Sequence, residues 1–413
     1  MTIGIEFLKK MFGVACAAGD ARLCLPPHLP LLPETGKIVV VGAGKAAAAM
    51  AQAVEGFYDL DRIEGVVVTR YGYDLPTKKI KVMTAAHPVP DTEGERAALA
   101  VLRCVSGLSP QDTVIALISG GGSALLSLPS SCLAADQKRA VNKQLLQSGA
   151  TIHEINCLRK HLSGIKGGRL AKAAWPATVL TYVISDVPGD DLATVASGPT
   201  LADLTTQEQA IAVIRKYGID VPQSVLQWLS DPVNETPKIL KNARPPVMAA
   251  CAKDALHAAA AFAEKNGVRA VVWGDDIEGE ARQVAQEHVR SALADQSSRP
   301  CIFLSGGETT VVVRGSGRGG RNGEYMLAAL AESSGSAGFY GLAADTDGID
   351  GSEDNAGAFF TPQSVAAAQA KGLDITSYLD NNDSYGFFSK IDGLVKTGPT
   401  FTNVNDFRAL LRL

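Results

Sequence analysis

The chain alternates short β-branched runs with alanine-rich helical stretches. Lys37–Val41 reads KIVVV, and Gly42-Ala43-Gly44-Lys45 then opens a helical stretch to about Glu55. Gly65–Thr69 (GVVVT) predicts a second strand, Ile80–Thr84 a weaker third, Thr113–Ile118 (TVIALI) a fourth and Thr178–Ile184 (TVLTYVI) a fifth. Continuous apolar strands between helices imply a parallel sheet covered on both faces. Thr92 with Glu95 predicts a capping box at the start of a helix.

The pattern loosens between about Tyr217 and Pro246, where Asp231-Pro232 and Arg244-Pro245-Pro246 are turn signals. This predicts a boundary near residue 240, with domains over 1–240 and 241–413. The second α/β region has candidate strands at Val247–Cys251, Ala270–Trp273, Cys301–Leu304, Thr309–Arg314, Phe339–Ala343 and Thr400–Val404. Thr309–Arg314 follows its predecessor after a turn too short for a parallel crossover, so the second sheet is expected to be mixed.

Composition narrows the class. With 39 Lys+Arg against 43 Asp+Glu in 413 residues, the formal charge is −4, which argues against a broad nucleic-acid face. A hydrophobic share of 46% and a charged share of 20% exclude global disorder. No apolar run approaches the roughly 20 residues of a membrane span, and Met1–Lys10 has no signal-peptide pattern. Seven scattered cysteines without a CxxC pair fit a reduced compartment, so a cytoplasmic location is expected. A homodimer is compatible with the sequence, which carries no specific signal for one.

Glycine stands at 41 residues, against a usual share of about 7%, and it clusters just after predicted strands. Ligands of open α/β sheets gather at those strand ends. Gly42-Ala43-Gly44-Lys45-Ala46-Ala47 matches the GxGxxA form of the dinucleotide fingerprint, with a helix N-terminus open to an anion. Two details disagree with a nicotinamide cofactor. The second strand ends Thr69-Arg70 without an acidic ribose reader, and Lys45 adds a full positive charge. Ser119-Gly120-Gly121-Gly122-Ser123 can form an anion nest of backbone amides, or be a loop that needs positive φ.

Four further segments carry candidate chemistry. In Arg159–Arg169, Lys160, Ser163 and Lys166 can share a helical face, or form a solvated basic helix end. Ser185–Asp191 holds Asp186, Asp190 and Asp191, which suit a Mg²⁺ bridging phosphates, a general base or a helix cap. In Gly317–Glu324, Arg321 can stabilise a transferring phosphoryl group, while Arg318 can do the same or face solvent. Asp345-Thr346-Asp347-Gly348-Ile349-Asp350 fails the EF-hand test at its fifth position but suits metal or ribose contact, or Asp-Gly turns. His87 and Ser197-Gly198-Pro199-Thr200 read as structural, and no Ser-His-Asp or Cys-His set can be argued from spacing.

Taken together, seven segments resemble the class II glycerate kinases, the glycerate 2-kinases with a C-terminal MOFRL domain. They are GAGKAAAAM (42–50), HPVPD (87–91), SGGGSALL (119–126), RKHLSGIKGGRLA (159–171), SDVPGDDLATVASGPT (185–200), GGRNGEYMLA (319–328) and AADTDGIDGSEDNAGA (343–358). The resemblance implies a Rossmann-like parallel five-stranded N-terminal sheet. It also implies a C-terminal three-layer α/β/α domain with a mixed six-stranded sheet and an active site in the cleft between domains. It implies ATP- and Mg²⁺-dependent phosphorylation of D-glycerate at its 2-hydroxyl. The family's important lysine falls on Lys45 and its arginine on Arg321.

The remaining site residues are assigned by chemistry. Gly44, Ser119, Gly120, Gly121, Gly122, Ser123, Lys160, Arg318, Asn322, Asp345 and Asp347 are expected to contact substrate or phosphate. Asp186 is expected to be catalytic and, with Asp190, to hold the metal. Members of this family are also labelled hydroxypyruvate reductases. That alternative needs NAD(P)H at the first glycine turn.

Overall fold

The computed structural model describes residues 4–187, 189, 191–297 and 299–413. It divides into two compact units. One comprises Ala21–Ser185 with Asp191–Ala249, and the other Met1–Asp20 and Asp186–Asp190 with Ala250–Leu413. The N-terminal helix Ile5–Ala18 therefore belongs to the same unit as the C-terminal half.

The first unit is built on β1 (Ile38–Ala43), β2 (Ile63–Arg70), β3 (Ile80–Ala85), β4 (Thr113–Ser119), β5 (Thr178–Ile184) and β6 (Val247–Ala250), in the order β3-β2-β1-β4-β5-β6. β1 pairs in parallel with β2 and β4, which set Ala43 beside Val68 and Ile118. All six residues of β1 and all seven of β4 are buried, as strands covered on both faces must be. Alternate residues Val39, Val41, Val66, Val68, Val114 and Ala116 pack against Ala97, Ala98 and Val101 of helix Thr92–Cys104. That helix is capped by Asp91, whose carboxylate accepts the Gly94 N–H, rather than by the expected Thr92/Glu95 box.

The sheet has six strands, not the expected five. The sixth is Val247–Ala250, which the sequence pattern assigned to the second sheet. The chain leading to it already runs beside β5, where Val179 donates to Asn242 O and accepts from the Arg244 N–H.

The second unit contains β7 (Arg269–Gly274), β8 (Gly279–Glu280), β9 (Cys301–Ser305), β10 (Thr309–Thr310), β11 (Phe339–Asp345), β12 (Gly357–Phe360), β13 (Leu394–Val395) and β14 (Asp406–Arg412). Six of them form a mixed sheet, β13-β12-β11-β14-β9-β7, parallel only between β7 and β9. β8 and β10 form a separate short ribbon. Helices Ala281–Ala294 and Arg321–Ser333 cover one face, and Ile5–Ala18 with Ala252–Lys265 cover the other.

Two expected strands move. Thr309–Arg314 keeps only Thr309–Thr310 as strand, and Val312 and Val313 beyond it are exposed. Thr400–Val404 is loop, with Phe401 and Asn405 at positive φ, and the strand is the following Asp406–Arg412. Arg408 and Arg412 interrupt its apolar pattern. Both are fully buried, and their N–H groups donate to carbonyls such as Gly306 O and Ala292 O. Among the described residues, no helix is long and apolar enough to cross a membrane.

Candidate active site

In the first unit the ends of β1 and β4 lie side by side and their two glycine turns interlock. The Lys45 N–H donates to Gly120 O at 2.9 Å and the Ala46 N–H to Ser119 Oγ at 3.0 Å. The Gly44 N–H donates to Val68 O at 3.0 Å, and Ala47 N–H to Gly44 O at 3.1 Å. A Cβ on Gly44 would lie 2.1 Å from Ser119 Oγ, and Gly44 has φ +139°. Glycine is required there for close approach of two backbones. The amides that a dinucleotide fingerprint offers to a pyrophosphate are therefore consumed within the protein. β2 ends in Arg70, whose guanidinium stacks on Tyr73.

The β4 loop is different. Gly121 sits in the left-handed region (φ +80°, ψ −9°) and leads into the short helix Gly122–Leu125. Among the described residues, the amides of Gly121, Gly122 and Ser123 meet no protein acceptor in hydrogen-bonding geometry. Three neighbours bound this loop. His87 lies against Gly121, 3.0 Å from where a Cβ would stand, and the Lys45 Cγ is 3.6 Å from the same point. Ser123 Oγ hydrogen-bonds to Ser197 Oγ at 2.7 Å, and Ser197 donates to Asn156 Oδ1 at 3.1 Å.

Ser197 and Ala196 hold positive φ (59° and 51°) without being glycine. Such strain is maintained only where surrounding contacts dictate it. Sequence reasoning took this segment as a plain turn. The residues that sequence pointed to at 44–45 and 119–123 thus converge, together with His87, Asn156 and Ser197.

Lys160 does not join them. Its ammonium pairs with Asp203 Oδ1 at 3.3 Å, and both groups are buried. Burial opposes ionisation of Asp203, but the Lys160 charge and the hydrogen bonds from Thr205 together outweigh it and hold that carboxyl below its ordinary range. Lys166 instead reaches the loop, donating to Ser123 O (2.7 Å) and Leu126 O (2.9 Å).

In the second unit, Arg321 opens helix Arg321–Ser333 and is clamped by three carboxylates. Nε donates to Asp406 (2.8 and 3.0 Å), Nη1 to Glu308 (2.6 Å) and Nη2 to Asp345 (3.0 Å). Burial favours the neutral guanidine, but Asp406, Asp345 and Glu308 outweigh it, so the cation is held firmly. Its side chain is 26% exposed and lines a cavity of about 680 Å³ with Thr309, Thr310, Val311 and Val313. Two of its five N–H donors have no acceptor among the described residues.

Asn322, fully buried, donates through Nδ2 to Asp406, and its Oδ1 has no partner among the described residues. Asp350 accepts the Asn322 and Gly323 N–H groups at the start of the helix, and burial pushes its carboxyl up to about 6 against those bonds. Asp345 Oδ1 accepts the Asp347 N–H, and Asp347 Oδ1 that of Ile349. The glycines of 315–320 are packing positions. A Cβ at Gly317 would lie 2.4 Å from Asp383 Cβ, and one at Gly320 would lie 2.3 Å from Asp350 Oδ1. Arg318 points elsewhere, pairing with Glu353 and stacking on Tyr385.

Asp186 is fixed by the loop before β14. Its Oδ2 accepts from Asn403 Nδ2 at 2.6 Å and its carbonyl from Asn405 Nδ2 at 2.9 Å. One segment, Asn403–Asp406, therefore orients both Asp186 and Arg321. Reading Thr400–Val404 as strand hid these asparagines, whose signal was the polar run TNVND. Asp190 lies outside the described residues. Among the described residues no group of three His, Cys, Asp or Glu side chains is arranged to hold a metal ion. Asp345 and Asp406 are already committed to Arg321.

The two α/β sheets carry glycine turns at their strand ends, one presenting open amides beside a lysine and the other a clamped arginine, groups chemically suited to small anions. The family described as "Domain of unknown function (DUF4147)" matches residues 7–230, and the MOFRL family matches residues 301–406. This chain belongs to the DUF4147–MOFRL family. It is 39% identical to the D-glycerate 2-kinase of Thermotoga maritima over 98% of this chain and 96% of that protein. It is 47% identical to an Agrobacterium vitis protein that carries the name hydroxypyruvate reductase, over 98% and 94%. The crystal structure of a Thermotoga maritima glycerate kinase superposes with a TM-score of 0.89 at 35% identity, covering 99% of both chains.

Proposed function

We propose that this chain is a glycerate kinase that transfers the γ-phosphoryl group of ATP to the 2-hydroxyl of D-glycerate. The observation that carries this reading is the contrast between the two interlocked turns. The β1 turn spends its amides on Val68, Ser119 and Gly120, whereas the β4 loop keeps its amides available beside Lys45. The names of the relatives support the same activity.

In this reading the acceptor's carboxylate is held by the amides of Gly121, Gly122 and Ser123, with Lys45 near the reacting oxygen. The nucleotide uses the cavity beside Val311 and Val313, its phosphates toward the two open N–H groups of Arg321. Such a cavity is within the usual roughly 300–1,000 Å³ of ligand sites. Magnesium enters with the nucleotide as part of the substrate. Asp186 would supply one of the one or two protein carboxylates that Mg²⁺ takes when phosphates supply other ligands, with Asp190 the second candidate by sequence. Bound there, the ion would neutralise phosphate charge.

The chain's own contribution is positioning and charge. Lys45, beside the open amides of the β4 loop, and Arg321, beside the cavity lined by Thr309 and Val311, each offer positive charge to an anionic group bound in their own unit, the kind of charge neutralisation on which phosphoryl transfer relies. Asn403 and Asn405 keep Asp186 oriented.

The Agrobacterium name favours a second reading, reduction of hydroxypyruvate with NAD(P)H. The consumed amides of the β1 turn and the cation Arg70 at the end of β2 weigh against it. One parallel assay separates the two. Purified protein is expected to release ADP from Mg-ATP only when D-glycerate is present, with 2-phosphoglycerate as product and no NAD(P)H loss with hydroxypyruvate. Nicotinamide oxidation without ADP release would overturn the kinase.

A further inference from the structure

Beside the β4 loop, the first unit holds a cavity of about 720 Å³ whose wall contains Lys138, Arg159 and Lys166 together with His87, Gly121 and Ser123. Lys138 and Lys166 are only 4% and 2% exposed. Their ammoniums rest on carbonyl oxygens: Lys138 on Leu128 O at 2.7 Å, Lys166 on Ser123 O and Leu126 O. Arg159 makes one long bond to Asn142 Oδ1, at 3.4 Å. Among the described residues no carboxylate forms an ion pair with any of the three. Arg139 and Lys143 add two exposed cations to the lining.

Two buried ammoniums beside a half-buried guanidinium, with no carboxylate paired to them, are costly, because each loses hydration without an ion pair in return. Burial, the Arg159 charge and the opposing field of Glu95 leave Lys138 lowered to about 7. Burial with the charges of Lys138 and Arg159 drives Lys166 well below its ordinary range. The ammoniums still have N–H donors to spare, two on Lys138 and one on Lys166, and Arg159 has its four terminal ones.

We propose that this cavity is a binding site for a compact polyanion, a small organic acid carrying a second anionic group, either a phosphate ester or another carboxylate. A monoanion of glycerate's size would leave most of the volume and most of the positive charge unmatched. A di- or trianion spans the open amides of the loop and the three cations at once. The inference deepens the reading of the β4 loop as the acceptor site and rests on it for the amides of Gly121 and Ser123, while charge and volume argue for the second anionic group.

Calorimetric titration of the full-length protein without nucleotide tests it. The probes are 2-phosphoglycerate, the dicarboxylate malate and monoanionic D-glycerate. Either or both polyanions are expected to bind at least tenfold more tightly than D-glycerate, and the tighter of the two identifies the second anionic group. Titration near pH 7.5 in buffers of different ionisation enthalpy is expected to show proton uptake, as bound charge re-protonates Lys138 and Lys166. Lys138→Met and Arg159→Met are each expected to weaken polyanion binding by roughly 10- to 100-fold, and Lys138→Met to reduce the proton uptake.

Arg159 is partly exposed and holds little, so Arg159→Met decides if Lys138→Met fails to fold. Polyanion affinity no greater than that of glycerate, or unchanged in the variants, overturns the site. Glycerate-dependent ADP release, measured alongside, keeps the two conclusions separate. Turnover with no polyanion site would remove only this inference, and a polyanion site without turnover would remove only the kinase.

Discussion

At the residue scale the two charged groups central to the proposed chemistry have unlike surroundings, so their substitutions should behave differently. Lys45→Ala is expected to lower glycerate-dependent turnover by about 10²–10³, the usual loss for one electrostatic stabiliser. Arg321→Ala should also lose activity, but it leaves Asp406, Asp345 and Glu308 without their shared cation. Breaking a buried pair from one side costs about 3–5 kcal/mol, so its melting temperature should drop markedly, whereas Arg321→Lys should recover stability more than rate. Steady-state kinetics with calorimetric melting separates these outcomes, and a fully stable Arg321→Ala would contradict the clamp. Gly44→Ala tests the interlocked turns. A Cβ 2.1 Å from Ser119 Oγ at φ +139° should cost roughly 2–5 kcal/mol, read by urea denaturation. Residue types and spacing made Lys45, Arg321 and the glycine loops visible in the sequence. The partners Glu308, Asp406, Asn403 and Asn405 were not, because Glu308 follows β9 while the Asn403–Asp406 segment leads into β14, and only folding brings them near Arg321 and Asp186.

At the element scale, strands that were uniformly apolar were legible and those carrying buried charge were not. β1, β4 and β5 follow the runs KIVVV, TVIALI and TVLTYVI closely. β14 was missed because Arg408 and Arg412 look like surface residues until carbonyls and carboxylates are found to surround them. Helices Ala281–Ala294 and Arg321–Ser333 show the same effect. Their packing buries His288, whose Nδ1 lies 2.8 Å from Tyr325 Oη and whose ring lies against Trp273. Burial, helped by the Arg408 charge, lowers His288 to about 4 from 6.5. The fold therefore prefers the neutral ring. Stability from this group is complete above pH 6.5 and is lost as pH falls toward 4. The difference amounts to about 3 kcal/mol at most. Between pH 7 and pH 4 the wild type should lose about that much more unfolding free energy than His288→Gln, measured in urea at each pH. Parallel curves for the two proteins would show that the ring is not held neutral.

At the scale of the whole molecule, linear order and spatial grouping differ. A boundary near residue 240 was the natural reading of the loosened pattern, yet Ile5–Ala18 packs with the unit formed by Ala250–Leu413. No local signal reveals this, since an amphipathic helix shows that it will be buried but not against which sheet. Its apolar stripe, Phe7, Leu8, Met11, Phe12 and Ala15, is almost completely buried. Phe7 stacks on Phe262 at 5.2 Å, and Phe12 meets Phe407 of β14 at 5.9 Å. Each large side chain contributes roughly 1.5–3 kcal/mol by burial, so together they rival the roughly 5–15 kcal/mol that separates a folded domain from its unfolded state. Deleting residues 1–18 should therefore unfold the second unit, or leave it without fixed packing, while the first stays native. The chain's 3 tryptophans report this directly. Trp273 lies in the second unit, and Trp175 and Trp228 in the first. With single-tryptophan variants, the truncated protein should show an exposed, red-shifted Trp273 under native conditions and an unchanged urea transition at Trp228. A native Trp273 signal would mean that the sheet of the second unit holds without its N-terminal helix.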